Sequence, residues 1–145
     1  RAVAQRIAAL TGGDLYEILP AVPYSAEDLN YNNSNCRANR EMKDPGARPA
    51  LGGESPDLST YDTVILGYPI WWGTMPRILN TFLDTYDLSG KTVLPFCTSG
   101  STGVSGSVSD LRTALPGVTV RDGWRAAGAN DNGTETWLRN NGVIK

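Results

Sequence analysis

Two stretches decide how this chain folds. Thr63-Val64-Ile65-Leu66-Gly67 runs into Tyr68-Pro69-Ile70-Trp71-Trp72-Gly73-Thr74, and Thr92-Val93-Leu94-Pro95-Phe96-Cys97 opens into Thr98-Ser99-Gly100-Ser101-Thr102-Gly103-Val104-Ser105-Gly106-Ser107. Both runs are apolar without alternation, as expected of strands covered on both faces of a parallel sheet. Each ends in a special loop. In a parallel sheet the strand C-termini gather on one edge, and ligands bind in the crevice there. One loop offers flat aromatic surface, the other flexible backbone amides. Together they predict a site for a flat ring rich in heteroatoms.

Outward from this centre the chain alternates helix and strand. Val3, Ile7 and Leu10 fall at helical spacing, so Arg1 to Leu10 reads as a helix stopped by Gly12-Gly13. Asp14-Leu15-Tyr16-Glu17-Ile18-Leu19 reads as a strand ended by Pro20. Residues 20–59 form a long, proline-punctuated, Asn-rich excursion with a helical turn expected at Ser25 to Leu29. Its arginines and carboxylates suggest a surface wrap pinned by ion pairs; in the sharper reading Tyr31, Asn32 or Arg37 to Arg40 closes over a ligand. Met75 to Tyr86 is the next helix, capped by Thr74, with Pro76 in its first turn and Ile78, Leu79, Phe82, Leu83 and Tyr86 on one face. A further helix carries Val104, Val108, Leu111 and Leu115, with a capping box from Ser107 to Asp110. Val118 to Trp124 is the last strand, and a final helix opens at Asn132 with Trp137 and Leu138 inward. Residues 1–145 therefore form one α/β domain with a parallel sheet between helices. Trp124 and Trp137 are expected in the core.

Composition removes several chemistries. The chain has 145 residues, 40% apolar and 19% charged, with a net charge of −2. That balance argues for no charged partner and against nucleic acid. No apolar run approaches the roughly 20 residues of a membrane span. No secretory leader is read, and a cytoplasmic location is expected; the chain opens on Arg1, so an upstream segment is expected to have been removed or left out. There is no histidine, which excludes Ser-His-Asp and Cys-His machinery and His-ligated metals. Cys36 and Cys97 are the only cysteines. Two free thiols are the commoner state for such a pair, and a disulfide is the alternative. No metal site is expected, and redox chemistry here has to come from a bound cofactor. Tyr68 is the nearest thing to a general acid or base.

The glycines of the 98–107 loop free its backbone, and it leads from a strand into a helix, which suits anions and electron-rich heteroatoms. It contains no lysine and lacks both the nucleoside-triphosphate loop pattern and the Gly-x-Gly-x-x-Gly spacing. A flexible connection without a ligand is the plain alternative. For Trp71-Trp72 the plain alternative is absorption into neighbouring packing; neighbours on a loop cannot both enter one core, so at least one ring is expected to face outward.

The stretch from Tyr61 through Pro69-Ile70-Trp71-Trp72-Gly73-Thr74-Met75-Pro76 to Leu83, with Gly90-Lys91-Thr92-Val93-Leu94-Pro95-Phe96-Cys97-Thr98-Ser99-Gly100-Ser101-Thr102-Gly103, resembles the flavodoxin-like FMN-binding family. It is most similar to the bacterial branch with a long segment before the third strand. The resemblance covers nearly the whole chain. It implies a three-layer sandwich with a five-stranded parallel sheet in order 2-1-3-4-5, and FMN at the C-terminal edge. It implies that Pro69, Ile70, Trp71, Trp72 and Gly73 lie against the isoalloxazine, with Thr98, Ser99, Gly100, Ser101 and Gly103 as the second wall. Family members begin with a strand and a Ser/Thr-rich phosphate loop before the first helix, whereas this sequence begins inside that helix. The expectation is therefore a sheet without its strand 1, and a chain that by itself holds FMN weakly or not at all.

Three functions follow as expectations. The first is FMN-mediated electron transfer or reduction of small acceptors such as quinones, with a redox partner protein or small acceptor. The second is a truncated, non-catalytic module that binds no flavin and assembles with another chain, for instance as a homodimer through exposed strand edges. The third, a phosphate-ester hydrolase using the 98–107 loop, lacks a nearby histidine, lysine or metal-binding carboxylate cluster.

Overall fold

β3 (Thr63–Pro69) and β4 (Thr92–Thr98) lie parallel and in register along their whole length, from Thr63 opposite Thr92 to Pro69 opposite Thr98. They form the spine of a computed structural model that describes residues 1–53, 55–99 and 102–145. Before them come α1 (Ala2–Thr11), β1 (Leu19–Pro20), α2 (Arg37–Lys43) and β2 (Leu51–Gly52). α3 (Arg77–Thr85) joins the two spine strands. After them come α4 (Ser105–Ala114), β5 (Thr119–Val120), β6 (Trp124–Ala126) and α5 (Gly133–Asn140).

The uninterrupted apolar runs are explained by two cores, one on each face of the sheet. Leu66, Tyr68, Val93 and Cys97 face α3 and α4, where Ile78, Leu79, Phe82, Val108 and Leu111 cover them. Leu94 and Phe96 face the other way, against Val3 and Ile7 of α1 and Trp137 and Leu138 of α5. This is the three-layer sandwich that the resemblance implies. Gly67 lies opposite Phe96 and under its ring: a Cβ there would sit 2.1 Å from Phe96 Cζ. Among the described residues no helix is long and apolar enough to cross a membrane.

Four local expectations need correction. Asp14 to Ile18 has no ladder partner; only Leu19–Pro20 pairs, antiparallel to Leu51–Gly52. A strand exists by its hydrogen bonds to a neighbour, and here a groove of about 580 Å³ separates this segment from β3. Tyr16, Ile18 and Leu58 line one side of the groove and residues 63–69 the other. In the family order that is the place of the first strand, and no described residue pairs with β3 on that edge. The last strand is split: Thr119–Val120 pairs with Thr92–Val93, and Trp124–Ala126 with Phe96–Thr98. Between them Gly123 passes so close beneath α4 that a Cβ would lie 2.8 Å from Val104 Cγ2. α3 begins at Arg77 with Pro76 in the cap position, because the Thr74 hydroxyl is taken by Asp110 instead. α4 likewise starts at Ser105 without a side-chain cap, and the Ser107 hydroxyl turns inward to donate to the Val104 carbonyl.

The excursion is better ordered than its composition suggests. The expected turn at Ser25 to Leu29 is present, closed by reciprocal bonds: the Ser25 amide donates to Asp28 Oδ2 and the Asp28 amide to Ser25 Oγ. α2 was not expected. Its cap is Cys36, whose Sγ accepts from the Asn39 amide at 3.4 Å. Cys36 and Cys97 are both free and buried.

Candidate functional site

The first wall is a tight hairpin at the end of β3. The Trp71 amide donates to the Thr74 carbonyl at 2.8 Å, and the Thr74 amide returns to Trp71 at 3.1 Å. The two residues between them both have positive φ, 54° at Trp72 and 78° at Gly73. That is the pattern of a type I′ turn, for which glycine is suited and tryptophan is not. Trp72 is the only non-glycine residue with positive φ among those described, and a left-handed L-residue costs roughly 1–2 kcal/mol. The residue is 54% exposed, so burial does not repay that cost.

Side chains from elsewhere hold the turn. Trp72 Nε1 donates to Asn39 Oδ1 at 2.9 Å. Thr74 Oγ1 donates to the Asp110 carboxylate on α4. Trp71, half-buried, meets Tyr24 edge-on with centroids 5.4 Å apart. The Arg37 guanidinium lies over the Tyr24 ring, 3.8 Å from its centroid, and binds Glu41 at 3.0 Å. Tyr24 donates to the same glutamate. Burial first, and then that acceptor, push the Tyr24 phenol well above its ordinary value, so it stays a donor. Ile70 is partly buried against the core, while Pro69 and Gly73 are exposed.

The second wall leaves β4 at Thr98, which is exposed. The Ser99 hydroxyl donates to the Thr102 carbonyl, and the Ser99 carbonyl accepts from Arg125 Nη1 at 3.1 Å. Gly103 is exposed, with open space where a Cβ would project. Gly100 and Ser101 lie outside the described residues. The walls are joined at their base. Gly106 approaches the Gly73 carbonyl so closely that a Cβ would be 2.9 Å from it. Tyr68 Oη and Ser107 Oγ are 2.8 Å apart; since the Ser107 hydroxyl donates to Val104, the phenol is the donor.

Tyr68 is thereby held as a protonated phenol. It is 4% exposed, and burial pushes its phenol to about 12. Burial also pushes the Cys97 thiol up, away from the nucleophilic thiolate. Among the described residues there is no cluster of His, Cys, Asp and Glu able to hold a metal. What remains at the C-terminal edge of the strands is the exposed Trp72 and the exposed Gly103. Pro69 and Thr98 also line the groove along β3, where Arg1 and Ala4 bring the N-terminal turn of α1 to the same space.

Sequence reasoning missed Tyr24 and Arg125, and reached Asn39 only as one residue of the span Arg37 to Arg40 expected to close over a ligand. Tyr24 and Asn39 lie in the excursion, where α2 was hidden because cysteine is not a usual helix cap. Nothing in the sequence places Arg125 beside Ser99; only the pairing of β6 with β4 does.

The family model described as Flavodoxin matches residues 1–141. The crystal structure of a candidate flavoprotein from Bacteroides uniformis ATCC 8492 is 40% identical, with a TM-score of 0.90, over 94% of this chain and 88% of that one. One from Bacteroides eggerthii DSM 20697 is 41% identical, with a TM-score of 0.89, over 94% and 86%. A Lactobacillus acidophilus NCFM flavoprotein solved in complex with FMN is 23% identical, with a TM-score of 0.60, over 74% and 70%, a likeness of fold. No curated protein matches the chain.

Proposed function

This chain belongs to the flavodoxin family, and from that premise we propose that it binds FMN between the two walls and serves in electron transfer or the reduction of small acceptors such as quinones. The observation that carries this reading is Trp72: a large flat ring kept exposed in a costly backbone conformation at the C-terminal edge of the sheet. Exposing an indole costs solvation free energy unless something stacks on it. When bound, FMN supplies the electron-carrying chemistry. The chain's own residues bind and orient. Trp72 offers a stacking face, and Trp71 backs it. The backbone at Thr98, Ser99 and Gly103 would face the polar edge of a ring, with Gly103 leaving room for close approach. With Tyr68 and Cys97 both held protonated, neither serves as a base.

Titration with FMN tests this. Stacking is expected to quench tryptophan fluorescence and to perturb the visible flavin band, and Trp72→Ala should abolish most of the quench. Unchanged emission and an unperturbed band at saturating FMN would overturn the reading.

One observation favours a second function. β3 is paired on one edge only among the described residues, and the groove beside it exposes Leu15 and Tyr16. An open strand edge flanked by apolar side chains recruits another strand. In this reading the chain is a module that assembles with another copy through that edge and carries no flavin. A colourless dimer by light scattering supports it; a yellow monomer rules it out.

A further inference from the structure

We propose that Asn39 is the positioning residue of the aromatic wall: by accepting the Trp72 indole N–H it holds that ring in its left-handed conformation, and it thereby makes the excursion part of the ligand site. The inference rests on the FMN reading for its consequence but not for its geometry. Asn39 is 4% exposed and uses its whole side chain. Nδ2 donates to the Tyr31 carbonyl at 3.2 Å and the Asn33 carbonyl at 3.0 Å, which leaves Oδ1 aimed at Trp72 Nε1 at 2.9 Å. The amide is therefore fixed by the loop before α2 and not by the tryptophan. A buried, pre-oriented acceptor can impose a conformation on a mobile donor, whereas the reverse is not available to an indole that is half in solvent.

The rest of the excursion supports the same placement. Arg77, on α3, donates to the Glu41 and Met42 carbonyls, tying the end of α2 to the helix that follows the hairpin. Arg37 donates to the Val22 carbonyl at 2.7 Å and covers Tyr24, which packs on Trp71. Both indoles of the wall are thus fixed from residues 22–43, by an amide in one case and an aromatic edge in the other. The chemical class selected is a planar ring that stacks on an indole of set tilt.

The test uses the Trp72 indole N–H signal in a nitrogen-15 spectrum of the flavin-free protein, assigned by its absence from Trp72→Phe. In the unaltered chain this proton is expected to exchange at least about tenfold more slowly than that of an exposed free indole. Asn39→Leu should move the signal and remove the protection. If Asn39→Leu leaves both unchanged, the proposal is overturned whatever FMN does. The consequence is read by FMN titration. Asn39→Leu should weaken binding by about tenfold in the unaltered background and by less than about twofold in Trp72→Phe, because the effect passes through the indole N–H. An equal loss in both backgrounds would mean that Asn39 acts by supporting α2 and would also overturn the proposal. Trp72→Phe alone, which removes the indole N–H and leaves the Asn39 bonds to the Tyr31 and Asn33 carbonyls in place, should weaken FMN binding by about tenfold, and no loss in that variant would overturn the proposal whatever Asn39→Leu does to α2. An altered indole signal with no FMN binding to any variant would uphold the positioning and sink the flavin reading instead.

Discussion

β3 and β4 are both seven residues long, equally apolar in sequence and in register with each other, yet they live in different surroundings. β4 is paired on both edges, and its middle five residues are buried. β3 is paired on one edge, and only Leu66 and Tyr68 are fully buried. The difference carries through to the loops they end in. The loop after β3 is held by side chains from α2 and α4, while the described part of the loop after β4 is held mostly through backbone carbonyls. Hydrophobic sequence specifies that a strand belongs inside; its neighbours decide how far inside it goes. The strand with the weaker surroundings carries a loop whose side-chain hydrogen bonds come from outside the sheet.

The sharpest way to break this comparison is the register pair Ile65 and Leu94, which face the same core from adjacent strands. Leu94 is 1% exposed, so Leu94→Ala should cost about 3 kcal/mol. Ile65 is only half-buried beside the groove, and Ile65→Ala should cost about 1.5 kcal/mol or less. Urea unfolding at constant slope measures both. Equal losses would show that the β3 edge is as well covered in solution as β4.

A smaller effect tests the joint between the walls. Tyr68→Phe removes one buried donor and leaves Ser107 bonded to Val104, so a loss of about 1 kcal/mol is expected in the same unfolding experiment. The two walls should stay in place, and FMN titration of the variant should be unchanged within about twofold. A large loss of binding would mean that the phenol serves the site directly.

Much of this architecture was legible in the sequence, and the places where it was not have physical causes. The strands at Thr63 and Thr92, and their special loops, were readable because apolar runs and the Trp-Trp-Gly and Gly/Ser tracts are local signals. The outward ring of Trp72 followed from its being adjacent to Trp71. The strand expected over Asp14 to Leu19 failed because propensity is local and pairing is not: the alternating pattern is there, but β3 lies across a groove. The split of the last strand falls at Gly123, where Val104, distant in sequence, leaves no room for a Cβ. α2 was not legible, and Asn39 was marked only as one residue of the span Arg37 to Arg40, without its partner. A single asparagine in an Asn-rich tract carries no mark of the indole it will meet, and the strained turn it supports is written in Trp72 and Gly73 only as a dipeptide.

The smallest effect concerns the far edge of the sheet, where β6 hands over to α5. Asp131 Oδ2 accepts from the Ala127 amide at 3.0 Å and Oδ1 from the Gly133 amide at 2.9 Å. These backbone bonds hold its carboxyl below the usual carboxylate range, with Arg125 and Arg6 adding to them. A group whose folded value is depressed stabilises the fold above its unfolded value, and that contribution is lost as pH falls through the folded one. Asp131→Asn keeps an acceptor but cannot titrate. The variant should be slightly less stable than the unaltered chain at about pH 7, and the gap should close by about pH 2. Urea midpoints across that range measure it. If the gap persists undiminished at acid pH, the loss comes from the amide nitrogen that replaces one of the two accepting oxygens, facing the Ala127 or the Gly133 N–H, and not from the charge of Asp131.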